Sequence, residues 1–162
     1  MPNPFTGKTI RAVITDVDGC LTDGRVGFTS NGDSVRHFHT HDGLGTQLLI
    51  QAGIHVAWLS AGSKPESIFA RAQTIGVEHV DVNRDEKGQR FLDLCAKLGV
   101  DPAHTVYMGD DLKDLPAMAH AAISACPADA VKQVRDAAHL TLTRNGGHGA
   151  FRELADLILE AR

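Results

Sequence analysis

Two aspartates separated by one residue are the strongest chemical signal in the sequence. Asp16 and Asp18 follow a short apolar run, and Gly19 follows them at a point where the chain can turn sharply. Residues two apart in extended backbone share a face, so the pair could hold a divalent cation and a reacting group. A carboxylate nucleophile suits phosphoryl transfer, because an aspartyl-phosphate hydrolyses readily and a second carboxyl group can carry protons. A solvated turn is the alternative interpretation of the same residues.

Side chains with matching chemistry follow three later apolar runs. The Ser60 hydroxyl could donate to a phosphoryl oxygen, and the Lys87 ammonium could neutralise a phosphate while holding the nucleophile. Asp110, Asp111 and Asp114 offer hard oxygen ligands of the kind that Mg²⁺ prefers. Each has an ordinary alternative: a helix cap for Ser60, an exposed helix lysine for Lys87, and charged capping for the aspartates. Their order along the chain, each at a strand end, favours one shared site.

Short apolar runs are predicted to be the strands that position these groups. They cover residues 12–15, 56–60, 79–82, 105–108 and 122–125. Most lack polar alternation, which is typical of parallel strands buried on both faces. Helices are predicted at 63–75, 85–98 and 149–161, the first opening with Ser63 and Glu66 as a capping box. This alternation predicts an α/β fold: a doubly wound, Rossmann-like parallel sheet with helices on both faces and ligands at the carboxyl ends of the strands.

One segment departs from the alternation. Residues 25–40 contain two short apolar stretches around Asn31-Gly32, which predicts a β-hairpin that projects beside the expected site. Because the sheet does not absorb this hairpin, we expect it to mediate oligomerisation. His37, His39 and His41 alternate, so in a strand they would point to one side. A second metal site there is conceivable, but a polar strand face or a subunit contact is the favoured interpretation.

Composition bounds the function classes. The 162 residues are 43% hydrophobic, and 16 Lys plus Arg stand against 20 Asp plus Glu. One domain over residues 1–162 is expected. The net charge of −4, without a block of like charges, argues against a nucleic-acid or membrane-surface binder. No apolar run reaches about 18 residues, no signal-peptide pattern opens the chain, and three cysteines lack metal-like spacing. We therefore expect a cytoplasmic enzyme.

Taken together, the motifs resemble those of the haloacid dehalogenase superfamily. Its four motifs are matched by Asp16-x-Asp18, Ser60, Lys87 and Gly109-Asp110-Asp111-x-x-Asp114. Within that superfamily the chain most resembles the capless, tetrameric phosphatases of 3-deoxy-D-manno-octulosonate 8-phosphate. The shared segments are residues 16–24, Asp42-Gly43, residues 109–116 and residues 146–150.

The resemblance implies a role for each candidate residue. Asp16 would be the nucleophile and Asp18 the general acid and base. Ser60, Ala61, Lys87 and Asp42 would bind the substrate, while Asp16, the Asp18 carbonyl and Asp110 would hold Mg²⁺, with Asp111 and Asp114 in support. The resemblance also implies a homotetramer without a cap domain, in which neighbouring hairpins wall each site, and a place in lipopolysaccharide biosynthesis.

Three departures from the family pattern concern the substrate. Family members often have Arg where this chain has Gly62, His41 and His148. Because Arg is the preferred bidentate partner of carboxylates, these departures favour broad discrimination or a less anionic substrate, although Lys64 could compensate. An arginine restored at 62 would then be expected to favour sugar acids. The leading expectation is a Mg²⁺-dependent phosphatase of a small sugar phosphate. The alternatives are a non-catalytic assembly module, as in some sugar-nucleotide synthetases, and a phosphotransferase using the same intermediate.

Overall fold

The structure, a computed structural model, describes residues 2–162 as a central parallel sheet with helices packed on both faces. The strands are β1 (Ala12–Thr15), β2 (Gly27–Phe28), β3 (Ser34–Val35), β4 (His55–Ser60), β5 (His79–Val82), β6 (Thr105–Met108), β7 (Ile123–Cys126) and β8 (Leu140–Thr141). The helices are α1 (Thr40–Gln51), α2 (Glu66–Ile75), α3 (Lys87–Leu98), α4 (Leu115–His120), α5 (Lys132–Ala137) and α6 (Ala150–Glu160).

The sheet has six strands in the order β5-β4-β1-β6-β7-β8, and all of its pairings are parallel. In β1, the side chain of Val13 belongs to a core shared with α1, α2 and α6. The next side chain, Ile14, belongs to a second core shared with α3, α4 and α5. Because successive strand residues face opposite ways, this division is what a sheet covered on both faces produces. The predicted doubly wound fold is therefore confirmed.

Most predicted element bounds lie close to the observed ones. The strands at 12–15, 79–82 and 105–108 match, β4 begins one residue earlier than predicted, and β7 is shifted by one residue at both ends. Helix α3 begins two residues later than predicted, with the Glu86 carboxylate accepting from two main-chain N–H groups, and ends at Gly99 with φ 67° as expected. The prediction that Ser63 and Glu66 form a capping box at the start of α2 is wrong. The helix begins at Glu66 after Pro65, because Lys64 adopts a φ of 55° and turns the chain there.

Several elements were not predicted: α1, α4, α5 and β8. In α1, Gly43 and Gly45 are buried while Leu44 and Ile50 are exposed, so apolar side chains do not mark the buried face. The periodicity that identifies an amphipathic helix is therefore absent from this segment. Among residues 2–162, no helix has both the length and the apolar character needed to cross a membrane.

The hairpin is present but shorter than predicted. Its antiparallel strands β2 and β3 have two residues each, and no cap domain accompanies it in residues 2–162. The expectation that His37, His39 and His41 line one strand face is wrong. The chain leaves the hairpin after Val35, the His39 side chain caps α1, and His41 lies within that helix. In the described part of the chain these histidines form no three-residue ligand cluster.

Candidate active site

The turn after β1 brings the first motif to the carboxyl end of the sheet. The main-chain N–H of Asp16 continues the sheet by donating to the Met108 carbonyl at 2.9 Å. Gly19 then turns the chain with a φ of 94°. A Cβ atom at this position would lie 2.0 Å from Oδ2 of Asp110, so only glycine lets the fourth-motif carboxylate approach the turn.

A buried lysine joins the first and fourth motifs. Nζ of Lys87 lies 3.0 Å from Oδ1 of Asp16 and 2.7 Å from Oδ1 of Asp114. All three side chains are buried, so their charges interact in a poorly screened environment. Lys87 begins α3, and its alternative as an exposed helix lysine is wrong because α3 packs this residue under the strand ends.

Asp114 also fixes the loop that carries the other aspartates. Its Oδ2 atom accepts the main-chain N–H groups of Asp110 at 2.9 Å and Asp111 at 3.1 Å. Its Oδ1 atom accepts the Tyr107 hydroxyl at 2.7 Å in addition to Lys87. Asp111 is exposed and caps the short 3₁₀ turn at Leu112–Asp114. Asp114 therefore holds both Lys87 and the Asp110 loop in place.

The cluster carries more negative than positive charge. Burial raises the pKa of Asp16 to about 6; the Asp114 charge adds to this and Lys87 opposes it. Burial, and then the charges of Asp16 and Asp114, raise the pKa of Asp110 to about 9. Burial lowers the pKa of Lys87, but the two neighbouring carboxylates outweigh it and leave that pKa above its ordinary value. The ammonium therefore stays charged, while the carboxylates lack a second cation.

The donor atoms fit a divalent cation that prefers oxygen. Potential ligand atoms of Asp16, Cys20 and Asp110 all lie within 4.8 Å of one another. Carboxylate oxygens suit Mg²⁺, which binds few protein ligands and keeps several waters. The Cys20 Sγ atom is 3.9 Å from Oδ1 of Asp110, but burial raises the pKa of its thiol and favours the protonated form, a poor metal ligand.

Asp18 has a partner that the sequence interpretation missed. Nε of Arg36 donates to Oδ1 of Asp18 at 2.7 Å, and Nη2 donates to Oδ2 at 3.2 Å. This pairing engages the Asp18 carboxylate with Arg36, which is compatible with the resemblance that assigns the main-chain carbonyl of Asp18 to the metal. The sequence contained one signal for Arg36. It lies two residues before Phe38, so in extended backbone the two side chains share a face, and Phe38 packs on Trp58 inside the molecule.

Ser60 and the residues after it form one wall of the cleft. The Ser60 side chain is buried at the end of β4, and its Oγ atom accepts from the Gly62 N–H at 3.0 Å. It does not cap α2, since Pro65 precedes that helix. The cleft has a volume of about 290 Å³. Its lining contains the predicted site residues Asp16, Asp18, Ser60, Ala61, Lys87, Asp110, Asp111 and Asp114, together with Gly24, Gly62 and Lys113.

Asp42 is the predicted site residue that the structure does not bring to this cleft. Its carboxylate is buried in α1 and accepts from the main-chain N–H groups of Gly149 at 3.4 Å and Arg152 at 2.9 Å. Asp42 therefore satisfies the first turn of α6. A separate cleft of about 500 Å³ is lined by His41, Arg144 and Arg152 among others, but it contains none of the strand-end aspartates.

The glycine-rich segment after β8 packs against the main chain of the turn that follows the first motif. A Cβ atom on Gly146 would lie 1.8 Å from the Gly19 carbonyl oxygen, so this backbone is in close contact with the turn. The Gly147 N–H donates to the Cys20 carbonyl at 3.0 Å. The shared motif at residues 146–150 thus fixes the turn that follows β1.

Comparisons with known proteins decide the family. A family model described as haloacid dehalogenase-like hydrolase matches residues 45–122. The 3-deoxy-D-manno-octulosonate 8-phosphate phosphatase of Haemophilus influenzae is 41% identical over 155 residues, covering 96% of this chain and 86% of that protein. The chain belongs to this phosphatase family of haloacid dehalogenase-like hydrolases. The Escherichia coli K12 member is 36% identical over 96% of this chain and 82% of its own length.

Solved structures of the phosphatase family agree. The cobalt-bound Haemophilus influenzae phosphatase superposes with a TM-score of 0.90 at 42% identity, covering 94% of this chain and 89% of that one. The Moraxella catarrhalis phosphatase was solved in complex with magnesium, phosphate and 3-deoxy-D-manno-octulosonate. It superposes with a TM-score of 0.89 at 35% identity, covering 94% of this chain and 87% of that one. The family resemblance and the expected class, phosphomonoester hydrolase, are confirmed.

Proposed function

We propose that this chain is a Mg²⁺-dependent phosphatase that hydrolyses 3-deoxy-D-manno-octulosonate 8-phosphate or a closely related sugar phosphate. The observation that carries the proposal is the buried Asp16 carboxylate, held between the Lys87 ammonium and Asp110 in an open cleft. The names of the family members and the ligands of the Moraxella catarrhalis structure support the substrate class.

In the first step, a carboxylate oxygen of Asp16 attacks the phosphorus atom in line with the ester bond. The ester P–O bond breaks, and the leaving oxygen takes a proton from the Asp18 carboxyl group. Lys87 keeps Asp16 ionised and neutralises charge on the phosphoryl oxygens. The Ser60 hydroxyl and the main chain at Ala61, which line the cleft, bind the same phosphoryl group.

In the second step, the aspartyl-phosphate is hydrolysed. Asp18, now a carboxylate, takes a proton from water, and the water oxygen attacks phosphorus. The bond between phosphorus and the Asp16 oxygen breaks, which releases phosphate and restores both residues. A bound Mg²⁺, held by Asp16, the Asp18 carbonyl and Asp110, would neutralise charge on the phosphoryl group. Asp111 and Asp114 act in support, Asp114 through its contacts with Lys87 and the Asp110 loop.

The lysines of the cleft favour an anionic substrate. Lys113 lines the cleft, is exposed, and forms no salt bridge within residues 2–162. Lys64, considered above as compensation for the missing arginines, is not among the cleft-lining residues. We assign the sugar carboxylate to Lys113, the exposed lysine of the cleft, and the phosphate to the buried Lys87.

The exposed apolar face of the hairpin supports a homotetramer. Val26, Phe28 and Val35 are 37%, 66% and 39% exposed. Two-residue strands cannot stabilise a hairpin by themselves, and open strand edges favour pairing with another chain. Phe38, by contrast, already packs on Trp58 and needs no partner. In the proposed tetramer, four single-domain chains would pack their hairpins together, and a neighbouring chain would form one wall of each cleft. The assembly would lie in the cytoplasm and would have no nucleic-acid or membrane partner.

A phosphate-release assay tests the proposed function. The purified chain is offered 3-deoxy-D-manno-octulosonate 8-phosphate and a neutral hexose phosphate, each with Mg²⁺ and then with EDTA. We expect Mg²⁺-dependent release with a preference for the sugar acid, which replaces the less anionic substrate expected from the sequence because the named relatives act on a sugar-acid phosphate. Release that persists in EDTA contradicts the metal dependence. Transfer of phosphate to an added alcohol in place of water indicates a phosphotransferase, and no turnover of either kind indicates the assembly module.

A further inference from the structure

One buried side chain, Arg36, contacts both the hairpin and Asp18 of the first motif. We propose that Arg36 is a positioning residue for Asp18: it fixes the acid/base carboxyl group over the cleft and couples it to the hairpin. This inference rests on the proposed function, because it assigns Asp18 the proton transfer. Asp18 transfers the proton, and the Arg36 guanidinium holds the Asp18 carboxyl group in place. The two residues are 18 positions apart in the sequence.

The contacts of Arg36 show that it does not read the substrate. Its side chain is 1% exposed. An arginine has five N–H donors, and all three nitrogens of Arg36 donate to protein oxygens. Besides both Asp18 oxygens, the acceptors are the Ser34 hydroxyl at 3.1 Å, the Ser63 carbonyl at 3.1 Å, the Lys64 carbonyl at 3.0 Å and the Ser67 hydroxyl at 3.1 Å. With no donor left over, Arg36 acts through Asp18.

These acceptors join three separate parts of the chain. Ser34 belongs to β3 of the hairpin, Ser63 and Lys64 to the loop after the second motif, and Ser67 to the first turn of α2. The guanidinium therefore ties the hairpin and this loop to the carboxyl group of the first motif. Movement of the hairpin is transmitted to Asp18, because the planar fork of arginine resists distortion of its bidentate pair.

Gly62 provides the space that this arrangement needs. A Cβ atom at position 62 would lie 2.9 Å from Nη2 of Arg36 and 2.9 Å from Oδ2 of Asp18. A side chain here would displace the ion pair that now fills the space. The buried guanidinium beside the second motif therefore comes from Arg36, which follows the hairpin strand β3.

The pair leaves Asp18 able to react. A carboxyl group has about four positions on its two oxygens, one of which holds the proton when the group acts as an acid, and Arg36 uses two of them. The Asp18 side chain is 23% exposed and lines the cleft, so the remaining positions can face the leaving oxygen and water. Fixing one rotamer in advance removes an ordering step from the reaction.

A leaving-group comparison tests the role of Arg36. Arg36→Met keeps the length of the side chain and removes its charge and its donors. The control is Arg25→Met, which removes the other hairpin arginine that pairs with an aspartate, Asp23, but is 88% exposed. For each variant kcat/KM is measured with a sugar phosphate, whose alkoxide needs a proton to leave, and with p-nitrophenyl phosphate, whose phenolate does not.

We expect Arg36→Met to lower kcat/KM at least about a hundredfold for the sugar phosphate and less than about fivefold for p-nitrophenyl phosphate, as loss of general-acid positioning predicts. Arg25→Met should lower neither by more than about twofold, and Arg36→Lys should recover part of the loss. Equal losses on both substrates would overturn the proposal, because a purely structural role lowers the active fraction for every substrate alike. If Arg36→Met does not fold, Arg36→Lys carries the same comparison.

A measurement without turnover separates this inference from the proposed function. The Tm shift caused by Arg36→Lys is compared in the wild-type chain and in an Asp18→Asn background. We expect a clearly smaller shift in the second, since the ionic partner is already gone. Equal shifts overturn the coupling even if the chain is an active phosphatase. Unequal shifts support it even if no phosphate ester is hydrolysed.

Discussion

The strand-end cluster and the outer face of the hairpin are built in opposite ways. At the ends of β1 and β6, the charge of Lys87 meets two carboxylates within the same chain. On the hairpin, Phe28 is 66% exposed beside Val26 and Val35. The reacting groups are therefore complete in one chain, whereas this apolar face of the hairpin stays exposed in it. Arg36 links the two regions, with its backbone beside the hairpin and its guanidinium on Asp18.

The largest expected effect comes from removing the nucleophile. Asp16→Asn keeps the shape of the side chain but removes the attacking oxygen's charge, so kcat should fall at least about a thousandfold. Thermal unfolding should show a folded chain, because the substitution also removes a buried charge that burial disfavours. Full turnover by this variant would mean that the cluster does not perform the chemistry.

Removing Lys87 should damage both activity and stability. Lys87→Met leaves the buried carboxylates of Asp16 and Asp114 without their cation, and breaking such a buried pair costs about 3–5 kcal/mol. Denaturant unfolding and kcat measure the two effects. Lys97→Met, at the exposed end of the same helix α3, is the matched control and should change neither. Similar small effects of both substitutions would contradict the ionic network.

Charges on the hairpin face should separate the chains. Val26→Asp combined with Phe28→Asp should convert a species of about four times 17.3 kDa into one of 17.3 kDa in sedimentation. Activity should fall severalfold, because the cleft loses its wall. Leu44→Asp, at another exposed apolar residue, should leave the assembly intact. A wild-type monomer with full activity would refute the shared wall.

The metal dependence of stability should grow with pH. The folded, metal-free chain holds protons on Asp110, with a pKa of about 9, and on Asp16, with a pKa of about 6. The unfolded chain releases both near the ordinary value of 3.8. Stability is therefore lost as pH rises through about 6 and about 9 in EDTA. Mg²⁺ replaces these protons, so the Tm difference between Mg²⁺ and EDTA should increase from pH 5 to 9.

Asp110→Asn should remove most of this pH dependence, because it removes the carboxyl group whose pKa is raised the most among the metal-ligand candidates. A Mg²⁺-induced Tm shift that is constant with pH, or larger in acid, would contradict this account of the cluster.

The smallest effect concerns position 62. Arginine here was expected to improve turnover of sugar acids, but even a Cβ atom would press on Arg36 and Asp18. We now expect Gly62→Ala to lower kcat/KM for sugar phosphates roughly fivefold by shifting the acid/base group, and Gly62→Arg to lower it further. An improvement with arginine would show that the ion pair can move without harm.

The two regions also differ in how far the sequence predicts them. The motifs at Asp16, Ser60, Lys87 and Asp110 each follow a strand of the parallel sheet, so parallel pairing brings them to one sheet edge. Arg36 was missed because its partner Asp18 is 18 residues away and depends on how the hairpin folds back. Asp42 was expected at the substrate because it belongs to a shared motif, whereas its carboxylate caps α6. Belonging to a shared motif does not tell whether a residue binds the substrate or caps a helix.

The central claim is that Asp16 forms a covalent bond to the transferred phosphoryl group. The most direct test is to quench the Asp18→Asn variant with acid during turnover of p-nitrophenyl phosphate, which needs no general acid, and to map the phosphoryl group by mass spectrometry. We predict one phosphoryl group per chain, on the Asp16 carboxylate, and none in an Asp16→Asn, Asp18→Asn double variant. A phosphoryl group on another residue, or in the double variant, would contradict the account.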